Sequence, residues 1–546
     1  MSQLLTATCA VPAAGAILTA ALPAGTTDAR RRTTKSIALG VSALTLGLAA
    51  AVAAEFEPGG ARFQLTESHS WIRSFGITFS LGVDGIGVVL VLLTAVLVPF
   101  VMLASWHDAD PPASGQRGPE PGPDGTFENR RRTQGFFALI LAVEAMVIVS
   151  FLATDVFLFY VFFEAMLIPM YFLIGGFGDR IGGAEAARQR SYAAVKFLLY
   201  NLLGGLVMLA AVIGLYVLAQ NQGVGTFDLQ SLTTAVADGK LTLDPTAERA
   251  LFLGFFFAFA VKAPLWPLHT WLPNAMGEST PGTAVLITAV VDKVGTFAML
   301  RFCLGLFPAA SKFFAPAILV LAVVGIIYGA LLAVGQKDIK RLVAYASVSH
   351  FGFIIMGIFA MTSQGQSGAT LYMVNHGIST ALLMLIAGFL ISRRGSRLIA
   401  DYGGVQKVAP VLAGTFLIGG LATLSLPGLG PFVSEFLVLV GTFTRYPALG
   451  IIATLGIVLA ALYVLVLYQR TMTGPVRPAV RAMPDLRARE LLVVAPLVAL
   501  TVVLGVYPKP LTDLVNPAVA ATLSQVHRTD PAPAHPVAIT AGGEQK

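Results

Sequence analysis

A lysine lies in the middle of one of the most apolar stretches of the chain. Lys262 is followed closely by Pro264, Pro267 and His269 in the segment FLGFFFAFAVKAPLWPLHTWLP. A charged side chain inside a membrane-spanning helix costs at least about 2.5–3.5 kcal/mol and is usually retained for function. Proline breaks a helix, and a broken helix is tolerated at membrane depth only around a protein-enclosed or hydrated cavity. The segment therefore predicts an interrupted helix that takes part in an ion or proton relay.

Other ionisable side chains, both acids and bases, lie in neighbouring apolar stretches. The principal candidates are Glu164, Lys262, Lys293, His350, His376 and Glu435, and the secondary candidates are Glu144, Lys196 and His269. A charge at about 4 Å contributes about 4 kcal/mol at an effective dielectric of about 20, or about 3 pKa units. Histidine titrates near neutral pH without such help. Groups of this kind suit a proton-transfer path near the middle of the membrane.

Each candidate also has a structural alternative, and at the level of sequence both stand. Lys262 and Glu164 could form an ion pair that only fixes helix packing. The histidines could be packing residues, and His269 could serve to shape the broken helix. Lys196 could extend its ammonium toward the nearer end of its helix.

The composition is that of a membrane protein. Hydrophobic residues make up 56% of the chain and charged residues only 12%, about half of the charged fraction of a soluble domain. Apolar runs long enough to cross a bilayer recur along the whole length and predict an all-α polytopic fold with about 14 transmembrane helices. Their centres lie near residues 13, 45, 95, 143, 165, 206, 262, 292, 324, 350, 380, 425, 458 and 498.

Positive charge alternates between the predicted loops. The basic loops are those after odd-numbered spans, and they contain Arg30 to Arg32, Arg130 to Arg132, Lys337 to Arg341, Arg393 to Arg397 and Arg470 to Arg489. Membrane proteins carry their excess Lys and Arg on the cytoplasmic side. The basic loops are therefore expected in the cytoplasm and both termini outside. The net charge of +7 is a signal of topology in a lipid bilayer, and it predicts no nucleic-acid partner.

A second interrupted helix is predicted at LSLPGLGPFVSEF. Pro427, Gly428, Gly430 and Pro431 break an apolar run there, just before Glu435. Broken helices at corresponding positions of two halves are typical of transporters built from inverted repeats. We therefore predict two inverted five-helix repeats with broken helices in spans seven and twelve.

The predicted boundaries follow from this repeat. Residues 134–305 would form the first inverted repeat and residues 306–470 the second. Residues 1–133 would hold spans one to three and a cytoplasmic loop rich in proline and glycine, and residues 471–546 a basic loop, the last span and a tail.

No cofactor-binding motif is found in the sequence. Phosphate-binding glycine loops are absent, and Cys9 and Cys303 offer no spacing for a metal or an iron–sulfur cluster. We therefore expect neither a bound metal nor a redox centre in this chain.

Five segments resemble the antiporter-like membrane subunits of the proton-pumping NADH:quinone oxidoreductase, respiratory complex I. They are FFEAMLIPMYF, AVKFLLYNLLGGLVML, FAVKAPLWPLHTWLPNA, YASVSHFGFIIMGI and LPGLGPFVSEF, and the likeness spans roughly residues 130–510. The resemblance implies proton translocation in a larger complex, beside L-like and N-like subunits. Flavin, iron–sulfur clusters and quinone would be bound by partner chains, so the oxidoreductase activity belongs to the complex. Subunits of multisubunit sodium/proton antiporters share the fold and are the alternative.

Two features favour the M-like branch of this family, which corresponds to chain 4 of the mitochondrial enzyme. Glu435 stands where the other branches usually have lysine, and the chain ends soon after the last span without a long lateral helix. The alanine-rich composition suggests a bacterial plasma membrane.

The resemblance also implies individual roles. Glu164 and Lys262 would form the first charged pair, Lys293 would pass the proton inward, and Glu435 would be the terminal site. His350 and His376 would continue the central hydrophilic axis, and Lys196 matches a lysine of the family.

The sequence departs from the family pattern at spans seven and eight. Asn274 and Met276 replace the usual Asp and His after WLP, and Asp292 replaces a usual apolar residue beside Lys293. The first two changes put in doubt a polar relay at the cytoplasmic mouth of span seven. Asp292 would favour the protonated form of Lys293.

Overall fold

The computed structural model describes residues 3–23, 25, 27–110, 132–179 and 183–532. Most of the predicted loop rich in proline and glycine and the end of the C-terminal tail lie outside the described residues, as do Arg130 and Arg131. Within the described part, twelve helices are long and apolar enough to cross a membrane. The protein is a multi-pass membrane protein.

Helices account for most of the described chain. The first ten helices, which end with the two halves of the first interrupted helix, are α1 Leu4–Ala21, α2 Asp28–Glu55, α3 Gly85–Ala104, α4 Arg132–Leu152, α5 Val156–Ala165, α6 Leu167–Gly175, α7 Gly183–Asn221, α8 Leu229–Ala237, α9 Pro245–Lys262 and α10 Leu272–Glu278. The later helices are α11 Pro281–Val285, α12 Asp292–Ala298, α13 Leu304–Leu306, α14 Pro308–Val334, α15 Ile339–Ala360, α16 Ser363–Arg394, α17 Pro410–Thr423, α18 Gly430–Arg445, α19 Pro447–Ala453, α20 Leu455–Met472, α21 Ala488–Val506 and α22 Lys509–Gln525. Two π-helical segments, Leu286–Val291 and Met299–Cys303, join α11, α12 and α13 into one span.

Both predicted helix breaks are present. The twelve long helices coincide with twelve of the predicted spans, and the other two, near residues 262 and 425, are the interrupted pairs α9–α10 and α17–α18. Helices α17 and α18 are only 14 and 16 residues long. The total of about 14 crossings requires that each interrupted pair spans the membrane. That total and the inverted repeats stay predictions.

The predicted basic loops meet at one end of the helix bundle. The contacts that join them are Lys35–Asp110 (2.6 Å), Arg132–Gly176 O (3.1 Å), Lys340–Asp179 (2.7 Å), Arg397–Asp338 (2.9 Å), Arg397–Glu278 (3.1 Å) and Arg393–Glu490 (2.5 Å). At the opposite end, Leu5 N donates to Glu67 Oε1 and Ser363 N donates to Asp530. The odd-numbered loops therefore share one end, and both ends of the described chain lie at the other.

Two elements depart from the sequence predictions. A two-stranded antiparallel hairpin, β1 Gln64–Ile72 and β2 Ile77–Val83, follows α2 in a chain predicted to be all helical. It is fixed to the bundle because Thr78 N donates to Asp155 Oδ2 at 3.0 Å. The second element is α22, which follows the last predicted span and packs against α3 and α16.

Candidate proton-transfer site

The first break begins directly after Lys262, the last residue of α9. Pro264 and Pro267 lack a backbone N–H, so the helical hydrogen-bond pattern cannot continue through them. The carbonyl of Val261 receives a substitute donor, the indole Nε1 of Trp271, at 2.9 Å. The Trp271 side chain thus satisfies a backbone carbonyl that the break leaves without its helical partner. Lys262 lies at the negative end of the α9 dipole, where a cation is favoured.

Protein encloses the side chain of Lys262, which is 1% exposed. Its ammonium donates to the carbonyl oxygen of Phe163 at 2.8 Å and lies 3.9 Å from the centre of the Phe163 ring. A carbonyl dipole and an aromatic face both stabilise a cation. Neither group carries a negative charge, so the protonation of Lys262 still depends on nearby carboxylates.

Glu164 follows Phe163 on α5, and its carboxylate rests on Gly205 of α7. A Cβ added at Gly205 would overlap that carboxylate, so the close approach requires glycine. Within the described part of the chain, Glu164 Oε1 accepts no hydrogen bond, and no ion pair joins Glu164 to Lys262. Lys262 nevertheless lies beside Glu164, because its ammonium contacts the carbonyl of Phe163, the preceding residue. The two groups are neighbours that are not bonded to each other.

Asp292 and Lys293 open α12, directly after the π-helical segment, and both are fully buried. Lys293 Nζ lies 2.7 Å from His376 Nδ1 on α16 and 4.1 Å from the centre of the Phe351 ring. An ammonium can only donate, so His376 accepts through Nδ1 and carries its own proton on Nε2. Lys293 therefore connects α12 with α16.

His350 of α15 stands beside His376, with ring centres 5.3 Å apart. The hydroxyl of Tyr372 lies 2.6 Å from His350 Nδ1 and donates to Glu435 Oε2 at 3.0 Å. Because that hydroxyl has one proton, which it gives to the carboxylate, it accepts from His350 Nδ1–H. His350, Tyr372 and Glu435 form a continuous hydrogen-bonded chain from α15 through α16 to α18.

The second break, residues 424–429, supplies a further donor to Glu435. The hydroxyl of Ser425 donates to Glu435 Oε2, and Ser425 adopts a left-handed backbone with φ of 61°. Asn375 of α16 donates from Nδ2 to the carbonyl of Gly430 at 2.9 Å, at the start of α18. The break therefore brings polar groups to a carboxylate that is 3% exposed.

Lys196 and His269 lie at the first broken helix but outside this row. Lys196 donates to Asn274 Oδ1 at 3.0 Å, so the asparagine that replaces the usual family aspartate still accepts from a lysine. His269 is 2% exposed and packs edge-on against Tyr328, with ring centres 5.3 Å apart. Both arrangements are compatible with the structural alternatives for these residues.

Two further buried groups lie on neighbouring helices. Glu144 of α4 is fully buried and accepts from the hydroxyl of Ser42 at 3.0 Å. Arg301 and Asp84, which the sequence analysis did not select, form a buried ion pair at 2.6 Å. Arg301 also donates to the carbonyl of Phe151, so this pair ties α3, α4 and the span of α12 together.

The structure sorts the sequence candidates into three sets. Lys293, His376, His350 and Glu435 form one row, Glu164 and Lys262 form a second group beside it, and Glu144, Lys196 and His269 lie apart. Sequence reasoning missed Tyr372 and Ser425, which are neutral. One signal was available for Tyr372, because it precedes His376 by four residues and so shares its helix face.

Comparison with known sequences places the chain in a family. The family model described as NADH:quinone oxidoreductase/Mrp antiporter, TM matches residues 153–460. The NADH-quinone oxidoreductase subunit M of Mycobacterium tuberculosis (strain H37Rv) is 59% identical, over 96% of this chain and 95% of its own length. The subunit M of Rhodobacter capsulatus is 37% identical, over 96% of this chain and 98% of its own length.

Solved structures agree with this assignment. A chain of respiratory complex I from Thermus thermophilus with bound NADH superposes with a TM-score of 0.81 at 29% identity, covering 96% of this chain and 99% of its own. A chain of the Mrp complex from Dietzia sp. has the same fold, with a TM-score of 0.77 at 21% identity over 96% of this chain and 100% of its own. The resemblance predicted from the sequence motifs, including the M-like branch, is confirmed. The chain belongs to the NADH-quinone oxidoreductase subunit M family of antiporter-like membrane proteins.

Proposed function

We propose that this chain translocates protons as the antiporter-like M subunit of an NADH:quinone oxidoreductase in a bacterial plasma membrane. The observation that carries the proposal is the row of buried groups from Lys293 through His376, His350 and Tyr372 to Glu435. Buried ionisable groups inside a membrane protein are costly, and a connected series of them suits proton relay. Family membership supports the same function.

Glu164 and Lys262 are proposed to control the charge at one end of the path. A carboxylate at about 4 Å stabilises an ammonium by about 4 kcal/mol at an effective dielectric of about 20. When Glu164 approaches, Lys262 holds its proton, and when Glu164 withdraws or is neutralised, Lys262 releases it. The absence of a direct bond between the two groups among the described residues is consistent with such a movable pair.

The proposed path from Lys293 onward uses the hydrogen bonds described above and, between the two histidines, the approach of rings whose centres lie 5.3 Å apart. The Lys293 ammonium gives a proton to His376 Nδ1, and His376 Nε2–H then releases a proton toward His350. His350 passes its Nδ1 proton to the Tyr372 oxygen while the Tyr372 hydroxyl gives its own proton to Glu435. Each step leaves a neutral or singly charged group, so no separated charge accumulates in the core.

The redox chemistry is assigned to partner chains. NADH oxidation and quinone reduction would occur there, on flavin, iron–sulfur clusters and quinone, and L-like and N-like subunits would pack beside this chain. Because the basic loops share one end, the positive-inside rule puts that end in the cytoplasm and both termini outside. Residues 134–305 and 306–470 are proposed as the inverted repeats, since each contains one interrupted helix, α9–α10 or α17–α18.

The alternative function is that of a subunit of a cation/proton antiporter. It is supported by the family model, whose description includes the Mrp antiporter, and by the shared fold of the Mrp complex chain. Sodium/proton exchange independent of NADH would then be the activity of the assembly.

One purification separates the two functions. An affinity-tagged form of this chain, isolated from its own membranes in mild detergent, should carry NADH:quinone oxidoreductase activity and chains that match L-like and N-like subunits. Reconstituted into vesicles, the preparation should take up protons on addition of NADH and quinone, with or without Na⁺. A preparation that lacks NADH oxidation and exchanges Na⁺ for protons would reject the proposal and support the antiporter.

Tyr372→Phe should lower NADH-driven proton uptake by about tenfold, because a proton-transfer group typically contributes a factor of at least this size. Phenylalanine keeps the ring that packs beside His350 and removes only the hydroxyl between His350 and Glu435. Uptake is measured in inverted membrane vesicles with a pH-sensitive dye. Tyr507→Phe is the matched control, because Tyr507 is 58% exposed. Equal rates in the two variants would remove Tyr372 from the path.

A further inference from the structure

Asp292 is buried in a way that no role described so far explains. Its side chain is fully buried, and neither carboxylate oxygen accepts a hydrogen bond from any described residue. A buried carboxyl group without hydrogen bonds is expensive, and each such group in a native core requires a specific cause. Its two neighbours of opposite charge, Lys262 and Lys293, are the obvious candidates for that cause.

The helix geometry directs Asp292 toward the end of α9. Gly295, three residues later and therefore on the same face of α12, packs so closely on α9 that an added Cβ would lie 2.9 Å from Ala263 N and Phe259 O. Ala263 is the residue after Lys262. Asp292 thus faces the end of α9, beside Lys262.

Lys293 points from the same turn of α12 toward a different neighbour. Successive residues of a helix are about 100° apart around its axis. Lys293 accordingly reaches His376 on α16, at 2.7 Å, while Asp292 faces α9. Two consecutive residues therefore connect the first broken helix with the histidines.

The π-helical segment before Asp292 contributes to this placement. Leu286–Val291 has wider turns than an α-helix, which shifts the angular position of every residue that follows. Such segments are frequent at functional sites.

We propose that Asp292 is a proton-transfer group that carries the proton from Lys262 to Lys293. The proposal rests on the proposed function and adds the link between its two groups of residues. The Lys262 ammonium gives a proton to one Asp292 oxygen, which leaves a neutral amine and a carboxylic acid. The carboxylic acid then gives its proton to the neutral amine of Lys293 and becomes a carboxylate again.

Three substitutions in the assembled complex test this link. Asp292→Asn keeps the shape and cannot ionise, Asp292→Leu is apolar, and Asp292→Glu keeps the carboxyl group. The asparagine and leucine variants should assemble and show NADH-driven proton uptake below about a tenth of wild type, as expected for loss of a proton-transfer group. Asp292→Glu should retain most of the wild-type proton uptake. If Asp292 had only a structural role, the larger glutamate side chain would not retain this uptake. Asp238→Asn, in an exposed loop, is the matched control.

The outcomes separate this link from the proposed function. Normal uptake in Asp292→Asn, with uptake lost in Glu164→Gln, would overturn the link and leave the function standing. Normal uptake in both variants would overturn both proposals. If the asparagine variant fails to assemble, infrared difference spectra of the wild-type complex upon NADH addition provide the second measurement. A carboxyl band that shifts in Asp292→Glu supports the link, and its absence overturns it.

Discussion

Glu164→Gln should abolish NADH-driven proton uptake and quinone-linked turnover in membranes that contain the assembled complex. Glutamine fills the same space on Gly205 but cannot carry the negative charge that acts on Lys262. When Glu164 approaches Lys262 to about 4 Å, its charge contributes about 4 kcal/mol at an effective dielectric of about 20, or about a thousandfold in the protonation equilibrium of the lysine. Glutamine removes this contribution. Dye-monitored uptake and quinone-dependent NADH oxidation, normalised to assembled complex on native gels, measure the effect.

Two further variants make the Glu164 experiment specific. Gly205→Ala places a Cβ where the carboxylate lies, so it should displace Glu164 and reduce uptake while the carboxyl group is still present. Glu185→Gln changes an exposed glutamate on α7 and should leave uptake unchanged. Proton uptake at the normal ratio to NADH in Glu164→Gln would reject a role for this residue in the relay.

The second large effect is expected at Glu435, the last group of the row that begins at Lys293. Glu435→Gln should strongly impair proton uptake, because the amide still accepts from Tyr372 and Ser425 but cannot take up a proton. We expect a loss of about tenfold or more in the vesicle assay. Assembly should be unchanged, because the packing and the hydrogen bonds of α18 are kept.

Glu435→Lys should be tolerated better than Glu435→Gln. Related branches of the family usually carry lysine at this position, and the hydroxyls of Tyr372 and Ser425 can turn their oxygens toward an ammonium. Glu57→Gln, on an exposed loop, is the matched control. Near-normal uptake in Glu435→Gln would remove Glu435 from the path.

Sequence patterns predict most of this fold because the bilayer restricts the available structures. Long apolar runs predicted the twelve spans that are long and apolar enough to cross a membrane, and clusters of proline and glycine predicted both breaks. The hairpin β1–β2 escaped prediction because it lies outside the apolar runs, in a stretch with many exposed polar residues. Helix α22 was missed for a similar reason, since its composition is mixed and its stability comes from packing on α3 and α16.

The candidate site was predictable where charge contrasts with an apolar background. Lys262, Lys293 and Glu435 stand out for that reason, whereas Tyr372 is neutral and differs little from a core aromatic residue. The links between helices could not be read from sequence, because they depend on how α12, α15, α16 and α18 pack. The complete burial of Asp292 also depends on this packing, so the sequence reveals only that Asp292 is adjacent to Lys293.

Helix α16 contacts both ends of the row of buried groups that runs from Lys293 to Glu435. It holds His376 beside Lys293 and, one turn earlier, Tyr372 beside Glu435, and residues 365–391 are buried throughout. A small tilt or axial shift of α16 changes the Lys293–His376 distance and the Tyr372–Glu435 distance at the same time. Helices α12 and α18 are therefore connected through α16, and a displacement imposed on either helix acts on both donor–acceptor contacts.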